Sequence, residues 1–454
     1  MAPQNELIGS ICFFIIRITK SKKNITERDK MEEQKIIYAG AGCAAIRFPT
    51  DYFPIEGYES LLDELHARAV ILKQNTEMLL ISLELPSIRP FKLIDIMREQ
   101  LSEETGISKD NIWITVTHSL SAPHVPQINE ERIEEDAERK HREHIEAITS
   151  AMKEAVLQAG NNMQQAAIGV SSGNSNVICN RNIQTEEGWW VGISPKGPSD
   201  KTLFVIKIES VTGKPIALIY NYALKSCVLE NTVMSDGKKY ASADLCGTTS
   251  VYVENHLHIP TLFFMGAAGD QVPMMKGNYY DTDDNGHMRE VNLGECGCEF
   301  LSKLGEKLGD DIIALAQTVE CTKEIESFHH YQFDFWAPGQ IRYPKEYPRP
   351  PVKQYVYQPA EKQKIHVEAI RINQDIILGV KPEILTVTNM LLKRKSPFFH
   401  TMLFTMVNGG QDYIPEDQDY ERFEYPALHA TVARGTDKLF LKEVIDWLIP
   451  IAPL

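Results

Sequence analysis

Short apolar runs recur along the chain, most of them four to eight residues long and bounded by Gly, Pro, Asn or Asp, and they alternate with longer segments of helical period. KIIYAG, ARAVIL, MLLISLEL, NIWITVTH, TLFVIKIE, PIALIYNYA, PTLFFMGAA and DIILGV read as strands, because β-branched and aromatic residues fill them and turn residues close them. Between Glu130 and Gln158 the pattern changes to a charged helix in which Ile145, Ile148, Met152 and Ala155 form a narrow apolar stripe. His141 and His144 fall among its charged residues and are expected at the surface. A second helix is expected in NLGECGCEFLSKLGEKLGDDIIALAQTV and a last one in LFLKEVIDWL. The Pro-rich YPKEYPRPPVKQYVYQP reads as a long extended loop near a site, or an edge crossover, rather than a domain linker. The expected fold class is α/β, with mixed sheets and flanking helices.

Composition narrows the function classes. With 454 residues, 43% hydrophobic and 24% charged, the chain is an ordinary globular sequence, and a formal charge of −15 argues against nucleic acid as a partner. The same field disfavours acidic substrates unless a local basic pocket overrides it. Eight scattered cysteines suggest a reducing compartment. The apolar LIGSICFFII is too short to span a bilayer, no Lys or Arg precedes it, and no small-residue cleavage pattern follows. Residues 1–33 are therefore read as an extension, 34–454 as one catalytic-type domain, and the location as cytoplasmic, with secretion or membrane association through the apolar stretch as the alternative.

Candidate chemistry gathers at strand ends. Glu383 follows IILGV, His118 follows IWITVT, and Tyr413 and Tyr425 frame a polar loop after a Gly-rich turn. Gly169-Val-Ser171-Ser-Gly173 fits G-x-S-x-G, but the following NSNVICNRN is a poor helix former, so a serine nucleophile at Ser171 is a minor alternative.

LGVKPEILT with the Tyr413/Tyr425 pair resembles the end of the catalytic domain of neutral, non-lysosomal ceramidases. Earlier blocks are similar to that family in the same order: IIYAGAGCAAIRFP, LDELHARAVIL, ITVTHSLSAPH, NVICNRN, IALIYNYALKSCVL, YASADLCG and LFFMGAAGDQVP. The resemblance runs from about Ile36 to Leu448 and implies a zinc-dependent hydrolase acting on an N-acyl amide such as ceramide, or another N-acyl compound. Carried over by position, it implies a zinc ion held by His118, Glu383 and Tyr413, with a fourth ligand position at residue 225. It also implies Arg181 and Tyr425 at the substrate, with Asn180 and Asp270 beside them. The family's smaller C-terminal β domain is not expected after LFLKEVIDWL.

Two departures shape the expectation. Lys225 stands where the family has a histidine ligand, and Leu120 replaces the second His of His-x-His, leaving His124 as a candidate replacement ligand or base. A charged Lys225 would serve as the counter-charge to an oxyanion, and a neutral one as a base or nucleophile. Outright loss of activity would leave a ligand-binding relative of an enzyme. A small-molecule or lipid N-acyl substrate is the expected partner, with no stable membrane span.

Overall fold

A computed structural model describes residues 35–127, 135–347, 350–410 and 412–453. The expectations placed on residues 1–33 and on the start of the helix at Glu130 lie outside them. All eight expected strands form.

The largest sheet runs in the order Thr261–Met265, Pro215–Tyr222, Thr202–Ser210, Gln164–Asn174, Ile37–Ile46, Leu65–Lys73, Glu77–Leu83, Ile112–Val116. Its pairs are antiparallel except at the two ends, where Pro215–Tyr222 joins Thr261–Met265, and Glu77–Leu83 joins Ile112–Val116, in parallel. A second sheet contains Phe328–Gln340, Pro359–Ile372, Asp375–Val380 and Thr401–Phe404, the last pair parallel. The Pro-rich segment connects the first two of these strands, which are antiparallel neighbours.

The two sheets stack face to face with helices outside, giving four layers. Leu79, Ile81 and Leu83 point to the core beneath Glu135–Asn161, Asp244–Leu257 and Cys296–Thr318. Met78 and Leu80 point the other way, into a seam with Ile370, Ile377, Met402 and Phe404 of the second sheet. On that sheet's far face, Val367, Leu378 and Val380 pack against Phe440, Val444 and Leu448 of the helix Thr436–Leu448. Central strands buried on both faces have no solvent face to keep polar, which is why they read as continuous apolar runs. Across the seam, Trp113 Nε1 donates to Glu368 Oε2 at 2.7 Å. Gly40 and Gly42 let the helix Glu135–Asn161 approach the Ile37–Ile46 strand, since a Cβ at either would run into the carbonyls of Ala159 and Ala155.

That helix corrects one expectation. His144 is fully buried, its Nδ1 2.5 Å from the Tyr52 hydroxyl, and His141 is half-buried with Nδ1 2.6 Å from Pro126 O. The ring of Phe48 stacks on Tyr52 and meets His144 edge-on, so the helix has an aromatic contact beside its aliphatic stripe. A period count of aliphatic positions overlooks it.

Candidate active site

The site forms where strand ends from both halves meet. His118 follows the Ile112–Val116 strand with φ 55°, a left-handed turn that swings its imidazole off the strand direction. Lys225 lies just past Pro215–Tyr222. Glu383–Ile384 and Tyr413–Ile414 form a two-residue parallel bridge that sets Glu383 directly opposite Tyr413. Arg181 comes from the strand Ile178–Thr185, and Tyr425 opens the short helix Tyr425–His429.

These residues line one cleft of about 570 Å³. Lys225 Nζ is 2.8 Å from Glu383 Oε2 and 3.4 Å from the Tyr413 hydroxyl, and His118 Nε2 is 3.5 Å from Glu383 Oε1. His118, Lys225, Glu383 and Tyr413 thus form a continuous contact set, all of it buried. The Lys225–Glu383 contact is an ion pair rather than an aligned hydrogen bond, and neither oxygen of Glu383 has an aligned donor among the described residues. The Arg181 guanidinium carbon stands 5.7 Å from the Tyr413 ring centroid and 5.2 Å from that of Tyr425, and the two tyrosines meet edge to face.

The electrostatics follow from burial. His118 Nδ1, 2.7 Å from Pro86 O, donates to that carbonyl, which leaves Nε2 with its lone pair toward the cleft. Burial holds this imidazole down at about 4, against an upward pull from Glu383. Burial raises Glu383, but Lys225, His118 and Arg181 outweigh it and hold the carboxyl at about 2. Burial and then Arg181 lower Lys225, while Glu383 pulls it back up. With the carboxylate 2.8 Å away, the pair is assigned as ammonium and carboxylate. Tyr413 is kept a neutral phenol, its pKa raised first by burial and then by Glu383.

Other expected site residues take different places. Asn180 and Asp270, expected beside the substrate, are not among the residues that line the cleft. They brace it: Asp270 Oδ2 accepts from Asn180 Nδ2 at 2.9 Å, Oδ1 accepts from the Thr386 hydroxyl at 2.7 Å, and the Asp270 carbonyl accepts from the Arg181 backbone N–H. His124 stands at the cleft mouth with 45% of its side chain exposed, tied to Glu56 and outside the His118–Glu383 contact set. Ser171 lies within the strand Gln164–Asn174, not on a strand-to-helix turn, so no nucleophile elbow surrounds it.

Several cleft residues carry no signal in the sequence. Glu230 and Lys276 pair at 2.9 Å on its wall, and Arg89 from one loop, with Arg342 and Lys345 from another, reaches it too. His429 stacks on Tyr425 at 3.9 Å between centroids, an i,i+4 pair that the segment EYPALH contains.

The sequence resemblance implies zinc, which takes three or four donors at roughly 2.0–2.3 Å. His118 and Glu383 are donors of the usual kind, but the Lys225 ammonium, 2.8 Å from Glu383, takes the corner where the resemblance implies an imidazole. A dication here would join Lys225 and Arg181 around one buried carboxylate. The residues present do not fit zinc.

No protein-family model matches the chain, and no curated protein matches it in sequence. Solved structures do. A neutral ceramidase from Pseudomonas aeruginosa superposes with a TM-score of 0.67 over 92% of this chain and 75% of its own, at 14% identity. A ceramidase complexed with C2 superposes with a TM-score of 0.66 at the same identity and coverage. The chain has the neutral ceramidase fold, a mixed α/β architecture.

Proposed function

We propose that this protein hydrolyses N-acyl amides, with the Lys225 ammonium as the fixed positive charge of the site. The observation that carries the reading is the Lys225–Glu383–Tyr413 contact with His118 Nε2 beside it, 3.5 Å from Glu383 Oε1, in a cleft of a ceramidase fold. Hydrolysis adds water across the C–N bond, releasing a carboxylic acid and an amine. In this reading His118 Nε2 takes a proton from the attacking water, and Lys225 and the Tyr425 hydroxyl face the oxygen that becomes negative. His118 then returns the proton to the leaving nitrogen. A base held at about 4 is weak near neutrality, so stabilisation of the oxyanion by fixed charges and donors carries more of the barrier. Trp190, Val191, Tyr279 and Tyr280 offer an apolar wall to an acyl chain.

A second reading has one specific support: the Lys225–Glu383 ion pair occupies the carboxylate, as suits a binding protein without turnover. Release of fatty acid from N-acylsphingosine and simpler N-acyl amides, followed by mass spectrometry, separates the two. Release above buffer that Glu383→Gln abolishes supports hydrolysis. Saturable binding with no release supports the second reading.

A further inference from the structure

Cations crowd this cleft in a chain whose formal charge is −15. Arg89, Arg181, Lys225, Lys276, Arg342 and Lys345 line it against Glu230, Glu290 and Glu383, and cations outnumber carboxylates even with Lys225 left out. The local field therefore opposes the field of the whole molecule, and the sequence expectation against acidic substrates does not hold at this site.

One cation is built to receive an anion. Arg181 is only 4% exposed, yet its Nε and Nη2 have no hydrogen-bond acceptor among the described residues. These two nitrogens form one edge of the guanidinium, which matches a carboxylate with two parallel hydrogen bonds. Arg68 shows the filled arrangement in the same molecule: its Nε and Nη2 donate to the two oxygens of Glu254 at 2.7 and 3.0 Å. Leaving such donors unpaired in a buried site is costly, and Glu383, whose charge acts on Arg181, is already in contact with Lys225.

We propose that the cleft takes an N-acyl amide carrying a carboxylate beside the amide, as an N-acyl amino acid does, with that carboxylate received by the Nε–Nη2 edge of Arg181. The proposal rests on the amide reading above for its substrate class, but its test is binding and does not require turnover. Calorimetry below the critical micelle concentration compares N-dodecanoylglycine, neutral N-dodecanoylethanolamine and dodecanoic acid on the full chain. The expected result is that the glycine conjugate binds at least roughly tenfold more tightly than the neutral amide, the scale of a hydrogen-bonded charge. Arg181→Gln should remove that preference and Arg181→Lys should restore part of it. Equal or tighter binding of the neutral amide overturns the proposal, as does a preference unchanged in a folded Arg181→Gln variant. Tighter binding of dodecanoic acid than of the conjugate also overturns it, by making the edge a site for the acid product. The comparison on the unmodified protein decides even if the variants do not fold. Fatty-acid release read on the same ligands reports separately on hydrolysis.

Discussion

Lys225 and Glu383 meet at 2.8 Å in the floor of the cleft, so that the chain supplies its own cation where the sequence resemblance implies a metal ligand. A dication is then opposed by charge as well as by the lost imidazole. Lys225→His should tighten zinc binding by more than the roughly 10–100-fold that a supporting partner of a metal ligand contributes. Zinc titration of both proteins at fixed pH checks this. Tight stoichiometric binding by the unmodified protein, with no gain in the variant, contradicts it.

The same pair makes a prediction about stability. Removing one partner leaves the other charge buried and unpaired, so Glu383→Gln or Lys225→Met alone should destabilise the fold by about 3–5 kcal/mol. The double variant should recover part of that loss, because the Lys225 charge is gone while the buried Arg181 still loses the opposing charge of Glu383. Urea unfolding of the three variants provides the comparison, and additive losses in the double variant would show that the residues act independently.

Tyr425 lines the cleft with its ring held between Arg181 and His429. Under the hydrolase reading, Tyr425→Phe removes one oxyanion donor and should lower kcat by about 10²-fold with little change in KM. The melting temperature should stay nearly unchanged, since the ring contacts remain. A large fall in melting temperature with kcat preserved would make the residue structural.

Two buried groups away from the cleft, His144 and Glu368, contribute to acid sensitivity. Burial holds His144 at about 3, below its ordinary 6.5, so its neutral form stabilises the fold above 6.5 and that contribution is lost as pH falls toward 3. Burial raises Glu368, but hydrogen bonds from His330 and His366, with Trp113 behind them, outweigh it and hold the carboxyl at about 2. Its contribution is present above 4.5 and is lost as pH falls from there toward 2. Stability measured against pH should therefore decline in two stages, with His144→Asn flattening the upper one and Glu368→Gln the lower. Unchanged slopes in both variants would refute the assignment.

Much of this arrangement is legible in the amino-acid sequence, for identifiable reasons. IWITV and DIILGV are strands buried on both faces, and such runs announce themselves through composition. Glu383 and His118 stand out as polar residues at the ends of such segments, whereas Tyr413 follows a Gly-rich turn and is marked by the resemblance. The roles of Asn180 and Asp270 do not, because whether a polar side chain faces the cleft or braces it depends on a register, Asn180 opposite Gln271, that local sequence does not encode. The burial of His144 depends on Phe48 and Tyr52, nearly a hundred positions away. The positive cleft is hidden for a similar reason: Arg89, Lys276, Arg342 and Lys345 come from distant segments, and net charge averages over them.

The bond from Trp113 to Glu368 ties the strand that leads to His118 to the sheet whose next strand, Asp375–Val380, leads to Glu383. His118 and Glu383 are therefore carried by opposite slabs of the molecule and meet only while the slabs stay clasped. Gentle denaturation that slides one slab on the other would dismantle the cleft before it melts either sheet. Ligand binding would then fail at lower denaturant than the far-ultraviolet signal, and the cleft would act as a gauge of how firmly the two halves are docked.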